Sequence, residues 1–227
     1  MLSISRRCVP FTPFERDLSD AIVTIASATG VHLSDQEPFP SEDPGDISYR
    51  EIPGDASNDD LRITHHHYDH SEADNDPNIV FPLQTLRELA EEGVIKGVND
   101  VHYSLGFTTR LKDLYEETYP EIANRIDRSK TKLVILTAGC PSTCHRSVVN
   151  LAREIEGIGI PTLVISASPA ATESVRPPRA MTFDGSEIGK IIGPANDRKM
   201  HKTVLQAALA IFTQDTPPGK VVTRSIQ

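Results

Sequence analysis

Lys132-Leu133-Val134-Ile135-Leu136-Thr137, followed after an intervening helical pattern by Thr162-Leu163-Val164-Ile165-Ser166, decides the fold. Both runs are short, apolar and β-branched, and each is bounded by turn residues, Gly139 after the first and Pro161 before the second, which reads as a pair of buried strands. Between them Val148, Val149, Ala152 and Ile155 mark one face of a helix that ends near Gly157. Strand, helix and strand within 35 residues make a right-handed βαβ unit with parallel strands. Ligands of such sheets gather at the carboxyl ends of the strands. The segment Cys140-Pro141-Ser142-Thr143-Cys144-His145 lies at that end.

Working outward, Ala21 to Ser27 reads as another buried strand, closed by Gly30. Residues Ser41 to Asp60 carry Pro44, Gly45, Pro53 and Gly54 among many acids, so they read as a long excursion with turns rather than core. Leu61 to His65 suits a short strand, and Leu83, Leu86, Leu89 and Ala90 recur at helical spacing after Pro82 until Gly93. Lys112 to Asp127 is helical by pattern, with Pro120 either kinking it or opening a second helix. A Pro-rich connection through Pro177 and Pro178 leads to a last helix, in which Val204, Ala207, Ala208, Ile211 and Phe212 cover the sheet. The tail from Pro217 to Gln227 has no periodic pattern. The expected class is α/β, with a mainly parallel sheet and flanking helices of Rossmann-like or flavodoxin-like type and long N-terminal loop excursions. It is expected as one domain over 1–227, containing an acidic loop at 41–60, the βαβ unit at 132–166 and a tail at 214–227.

Bulk properties narrow the function classes. Hydrophobic residues make up 38% and charged residues 24%, the balance of an ordinary globular protein. A net charge of −9 without any block of Lys and Arg disfavours nucleic acid and anionic lipid as partners. The N-terminal stretch has a basic pair, Arg6-Arg7, but lacks the apolar run of a secretory signal, so a cytoplasmic location is expected. Three cysteines are too few for a disulfide scaffold, and two of them lie four positions apart. In a reducing compartment that spacing points to redox or metal chemistry. Cys8 stands alone and reads as an incidental thiol.

The strand-to-helix turn sets Cys144 near free backbone N–H groups and the positive end of a helix dipole. Such a setting favours thiolate, and a protonated His145 would add a second stabilising charge. A folded turn brings two such cysteines within the Cα separation of roughly 4.4–6.8 Å that a disulfide needs. Two inert buried cysteines fit the same spacing, and so does zinc held by Cys140, Cys144 and His145 with a distant histidine.

His65-His66-His67-Tyr68-Asp69-His70 follows an expected strand, so His65 and His67 share one face and His66 and Tyr68 the other. That pattern supplies two histidines to a pocket, as proton donors or substrate contacts, near their neutral titration range. Asp43, Asp46, Asp55, Asp59 and Asp60 form an acidic stretch suited to a cationic amine, with Tyr49 and Arg50 placed to meet its carboxylate; a solvated loop is the plainer reading. Gly157-Ile158-Gly159-Ile160-Pro161-Thr162 precedes a strand instead of opening a helix, so no nicotinamide is expected.

Several segments in chain order carry a family resemblance: Val31-His32-Leu33-Ser34-Asp35-Gln36, Gly45 to Pro53, Thr64 to Asp69, Asp76 to Pro82, Pro177-Pro178-Arg179-Ala180, and Val134 to Cys140 with Cys144-His145. Together they resemble the glycine/sarcosine/betaine/D-proline reductase family of selenoprotein B type. The resemblance implies reductive cleavage at a carbon next to a carboxylate, with a selenolate or thiolate attacking and a nearby cysteine resolving the adduct. This chain departs from the pattern twice: cysteine stands in place of the family's selenocysteine, and three residues instead of two separate the redox pair. Aligning on Cys144 would set the nucleophile at Pro141, which cannot react, so the attacking role passes to Cys140 and the resolving role to Cys144, with the reverse assignment open.

The expected protein is therefore a thiol-dependent reductase. Cys140, Cys144 and His145 are its catalytic residues, and His65, His67, Tyr68, Arg50 and Tyr49 bind the substrate. No tightly bound cofactor or metal is expected. The expected partners are a small-molecule substrate and an external dithiol or thioredoxin-like electron donor; an amine substrate would add a carbonyl-bearing partner subunit of the kind the family uses, an easier leaving group would not, and self-association is compatible with the sequence. A metal-binding or thiol-sensing protein without turnover is the alternative.

Overall fold

In the computed structural model, residues 8–40, 42–141 and 143–226 are described. The Arg6-Arg7 pair, Ser41 at the start of the acidic excursion, Ser142 of the cysteine turn and Gln227 of the tail lie outside them. The βαβ unit forms as expected. Strands β7 (Leu133–Ala138) and β8 (Thr162–Ile165) pair in parallel, joined by helix α4 (Thr143–Gly157). Every residue of both strands is buried, as a parallel strand covered on both faces requires.

Among the described residues eight strands make one sheet, in the order β10 (Val221–Arg224), β9 (Ala180–Phe183), β8, β7, β1 (Ile22–Ala28), β6 (Val101–Leu105) and β3 (Tyr49–Pro53); the two-residue β5 (Gly97–Val98) also pairs with β1. All pairings in the sheet are parallel except β3 with β6. A separate antiparallel pair joins β2 (Val31–Leu33) to β4 (Leu61–Ile63). Helices α1 (Leu83–Glu91) and α6 (Arg198–Ile211) pack on one face of the large sheet. The other face carries α3 (Tyr119–Asp127) and α4, with the short α2 (Leu111–Asp113) and α5 (Pro169–Ser174) beside them. A π-helical turn at Leu114–Thr118 links α2 to α3, so the backbone is helical without a break from Leu111, and Pro120, the second residue of α3, follows directly on that π turn.

Two segments read as irregular are strands. Within the acidic excursion, Tyr49–Pro53 is the antiparallel edge strand β3, and in the tail Val221–Arg224 extends the opposite edge as β10. The ladder between β1 and its neighbour is handed from β5 to β6, and at the gap the Ile25 N–H donates to Nδ1 of His102 at 2.9 Å. A side chain there completes what the backbone leaves unpaired.

The N-terminal segment is strapped across the far side of α4. Glu156 and Arg179 form a buried ion pair at 2.7 Å. Thr12 donates its N–H to the Glu156 carboxylate, Arg179 donates to the Thr12 carbonyl, and the Arg179 guanidinium lies over the Phe11 ring at 3.7 Å.

Topology then selects one place for a site. The chain builds β5 and β6 on one side of β1, crosses over, and builds β7 on the other side. The strand order therefore reverses at β1 and β7, and a crevice opens at such a reversal beyond the carboxyl ends of the strands. Cys140 comes two residues after the end of β7, held beside β1 by the Gly139 N–H bonded to the Ala28 carbonyl at 2.9 Å.

Candidate active site at the cysteine turn

Both thiols of the turn are buried, Cys140 at 2% exposure and Cys144 at 1%. The backbone N–H of Cys144 donates to Sγ of Cys140 at 3.0 Å. The sulfur that receives an orphan N–H from the start of α4 is thus that of Cys140 and not, as expected, that of Cys144. Donors of this kind, together with the helix dipole, favour negative charge on the sulfur they face. The Cys144 thiol is instead pushed well up from its ordinary range, first by burial and then by its hydrogen bond to Cys140 and by that neighbour's charge.

The histidine at Cys144 is His65. Its Nε2 lies 3.1 Å from Sγ of Cys144, while its Nδ1 accepts the His67 backbone N–H at 3.2 Å. Burial, followed by the neighbouring histidines, lowers its pKa to about 3, so the ring is neutral at physiological pH. Chain geometry explains how it arrives: β4 ends at Ile63, and Gly30 and Thr64 approach so closely that a Cβ on Gly30 would lie 2.3 Å from the Thr64 carbonyl oxygen. Gly30 also has φ +75°, a conformation that glycine adopts without cost.

His145, fully buried, is turned away from the sulfurs. Its Nδ1 lies 2.6 Å from the Cys140 carbonyl and its Nε2 accepts the Ala167 N–H at 3.2 Å. Since Nε2 accepts, Nδ1 carries the proton and donates to Cys140. Burial lowers its pKa to about 4. His145 therefore fixes the backbone of the turn as a neutral ring, where a cation beside the thiol was expected.

The 65–70 segment is a turn-rich loop and not a strand end, so alternation does not govern it. His67 is exposed and stacks on Phe107 with ring centroids 3.6 Å apart. Tyr68 folds back over the turn: its hydroxyl donates to the Thr29 carbonyl at 2.8 Å, its ring meets His65 edge-on, and a Cβ on Gly139 would lie 2.3 Å from its Cε1. His65, His67 and Tyr68 are thus gathered near the thiols. Tyr49 and Arg50 spend their polar atoms elsewhere, Tyr49 on Glu121 at 2.7 Å and Arg50 on the Glu37 carbonyl and Ser48, with its guanidinium over Phe39. Sequence reasoning missed Phe107, Thr29 and the Tyr119 hydroxyl, which bonds Ser147 at 2.8 Å under α4. No motif marks them; only the fold brings them in.

His65, Cys140 and Cys144 also place one nitrogen and two sulfurs within 4.8 Å of one another, the donor set of a soft metal. A polar cleft of about 710 Å³ lies elsewhere. Its lining takes Glu121, Arg125 and Arg128 from α3 and its end, Glu51 from β3, and Asp100 and Lys130 from the segments that lead into β6 and β7.

Known proteins place this geometry in context. A family model described as glycine/sarcosine/betaine reductase selenoprotein B matches residues 9–139 and stops one residue short of Cys140. The chain is 36% identical over 213 residues to the D-proline reductase subunit gamma of Acetoanaerobium sticklandii, covering 93% of this chain and 86% of that one. It is 27% identical over 217 residues to the glycine reductase complex component B subunit gamma of Carboxydothermus hydrogenoformans, covering 91% of this chain and 49% of the relative. Against the sarcosine reductase complex component B subunit beta of Peptoclostridium acidaminophilum it is 28% identical over 158 residues, 68% of this chain and 36% of that subunit. The chain spans half or less of these two component B subunits. No solved structure matches, so the α/β sheet stands without a named structural neighbour.

Proposed function

This chain belongs to the glycine/sarcosine/betaine reductase selenoprotein B family, and we propose on that footing that it is the thiol-bearing part of a reductase, with Cys140 attacking a small substrate and Cys144 resolving the adduct. Relatives named as reductase subunits support the reductase role. The observation that carries the finer reading is the Cys144 N–H bonded to Sγ of Cys140 at the start of α4, beyond the carboxyl ends of the strands where the strand order reverses.

The chemistry balances as a two-electron reduction. The Cys140 thiolate attacks atom X of an X–Y bond; S–X forms, X–Y breaks, and the electron pair leaves on Y, which is protonated. Cys144 then attacks Sγ of Cys140; S–S forms, S–X breaks, and X leaves with the pair and a proton. An external dithiol restores both thiols. An unactivated amine is too basic to serve as Y, so a substrate of that kind requires a carbonyl-bearing partner subunit, whereas a disulfide, thioether or activated heteroatom does not. We assign the easier substrate class to this chain acting alone, because cysteine is a weaker nucleophile than selenocysteine. No described helix is long and apolar enough to cross a membrane.

The test is dithiol consumption by the purified chain across both substrate sets. Turnover confined to the easier class, and lost by at least about a thousandfold in Cys140→Ser, is the expected result. Undiminished activity in that variant, or unaided turnover of an amino acid, would overturn the reading.

The donor cluster favours one second reading, a bound zinc ion held by His65, Cys140 and Cys144. In it His65 is the distant histidine that the sequence left unnamed, while His145, turned away from the sulfurs, is no ligand. A ligating Nε2 needs its proton on Nδ1, where the His67 N–H already points, and that conflict sets the metal second. Stoichiometric zinc that survives chelator and blocks alkylation of both thiols would reverse the order.

A further inference from the structure

The hydrogen bonds at the thiol pair have a fixed direction, and that direction assigns a role no sequence pattern shows. A backbone N–H is always a donor, so the bond from His67 makes Nδ1 of His65 an acceptor. In the neutral ring the remaining proton is then on Nε2, the atom 3.1 Å from Sγ of Cys144. The same logic at the other sulfur makes Sγ of Cys140 an acceptor, since it receives the Cys144 N–H. Donation thus runs from the His67 backbone through His65 to Cys144, and from Cys144 to Cys140.

We propose that His65 is a catalytic hydrogen-bond donor to the resolving sulfur, holding Nε2–H on Cys144 as that thiol becomes thiolate and attacks Cys140. The inference rests on the dithiol reading above. When the Cys140–substrate adduct forms, Cys140 ceases to be the acceptor for the Cys144 S–H. Cys144 then gives its proton to the departing group X, and the charge left on Sγ is met by a donor already in place. His65 keeps its own proton throughout, so it acts neither as general base nor as metal ligand. A charge-assisted hydrogen bond in a dry site is among the stronger single interactions available.

Among the described residues, few titratable groups face Cys144. Cys140 faces it from the end of β7, His65 and Tyr68 from the loop after β4, and Tyr119 from α3. Both tyrosines are held protonated by burial, well above their ordinary range, so His65 is the neighbour whose loss removes a donor from the sulfur.

The experiment needs no substrate. In the full chain carrying Cys8→Ser and Cys140→Ser, Cys144 is the one remaining thiol, and its alkylation by iodoacetamide is followed against pH with chelator present. His65→Ala and His65→Asn should raise the midpoint by about one pH unit, close to tenfold in rate below both midpoints. His65→Gln, whose amide N–H reaches the Nε2 position, should restore it. Folding is checked by circular dichroism, and if the Ala variant does not fold, the Asn and Gln pair carries the comparison. Equal midpoints in Asn, Gln and His65 proteins, or a midpoint that falls, would overturn the assignment. Failure of dithiol turnover in the unmodified protein would sink the reductase reading instead, and this measurement does not depend on it.

Discussion

The two ends of the sheet handle polar groups in opposite ways. At the amino ends, the cleft around Arg125 is open and charged. Arg125 meets Glu51 at 2.8 Å and Glu121 at 3.2 Å, with all three side chains 43–53% exposed. At the carboxyl ends, Cys140, Cys144, His65 and His145 are each at most 2% exposed, carry no cation at physiological pH, and hold hydrogen bonds whose direction the backbone fixes. The end that holds the open cleft is therefore not the more chemically prepared one. Solvated ion pairs are screened and contribute about 0–1 kcal/mol, whereas groups stripped of water act at full strength on whatever they face.

The sharpest probe of the buried histidines is acid; His65 and His145 belong to the dry end, and His102 lies near the start of β6. His65 and His102, with pKa lowered to about 3, and His145, at about 4, all stay neutral in the folded protein but take up protons near 6.5 once unfolded. Below pH 6.5 the unfolded state binds more protons, so stability is complete above that value and declines as pH falls toward 4. With about 1.4 kcal/mol per pH unit for each histidine, the combined slope approaches roughly 4 kcal/mol per unit near pH 5. Denaturant midpoints measured between pH 7.5 and 5 should drop steeply. A flat profile would mean that these rings are solvated and the contrast between the two ends is lost.

A smaller effect tests the packing over the turn. Gly139→Ala drives a methyl into the Tyr68 ring and should cost about 1–3 kcal/mol, as overpacking does. Adding Tyr68→Ala should restore the space without restoring the full stability, since the Tyr68 hydroxyl bond to Thr29 is then gone. Thermal melts of the single and double variants distinguish a clash with the Tyr68 ring from a change elsewhere in the turn. The least effect belongs to the open end. Arg125→Ala should change stability by less than about 1 kcal/mol and leave dithiol consumption within about twofold. A large loss of activity there would relocate the substrate to the cleft.

Much of this was legible in the sequence wherever one face of an element is continuously apolar. Strands β1, β7 and β8 announce themselves as largely apolar runs, and α1, α4 and the last helix because their buried positions recur at helical spacing. Strand β3 does not, since an edge strand carrying Arg50, Glu51 and Pro53 buries only Ile52 fully. Strand β10 is four residues long with none fully buried, in a stretch flanked by Pro and Gly. At the site, the cysteines and His65 stood out by residue type, yet the thiol was paired with the wrong histidine. Adjacency misleads on a helix: one step rotates the side chain by about 100°, so His145 leaves the face of Cys144, while His65 arrives from 79 positions away.

The strap at Thr12 bears on how the molecule is made. Its partners Glu156 and Arg179 lie 144 and 167 positions downstream, so among the described residues the segment synthesised first can be seated only after most of the chain exists. A nascent protein stalled before Arg179 would hold Glu156 without its guanidinium and leave Phe11 without its cover. Docking of the segment around Thr12 thus waits for Arg179, in a molecule whose cysteine turn, at 140–144, has by then already been made.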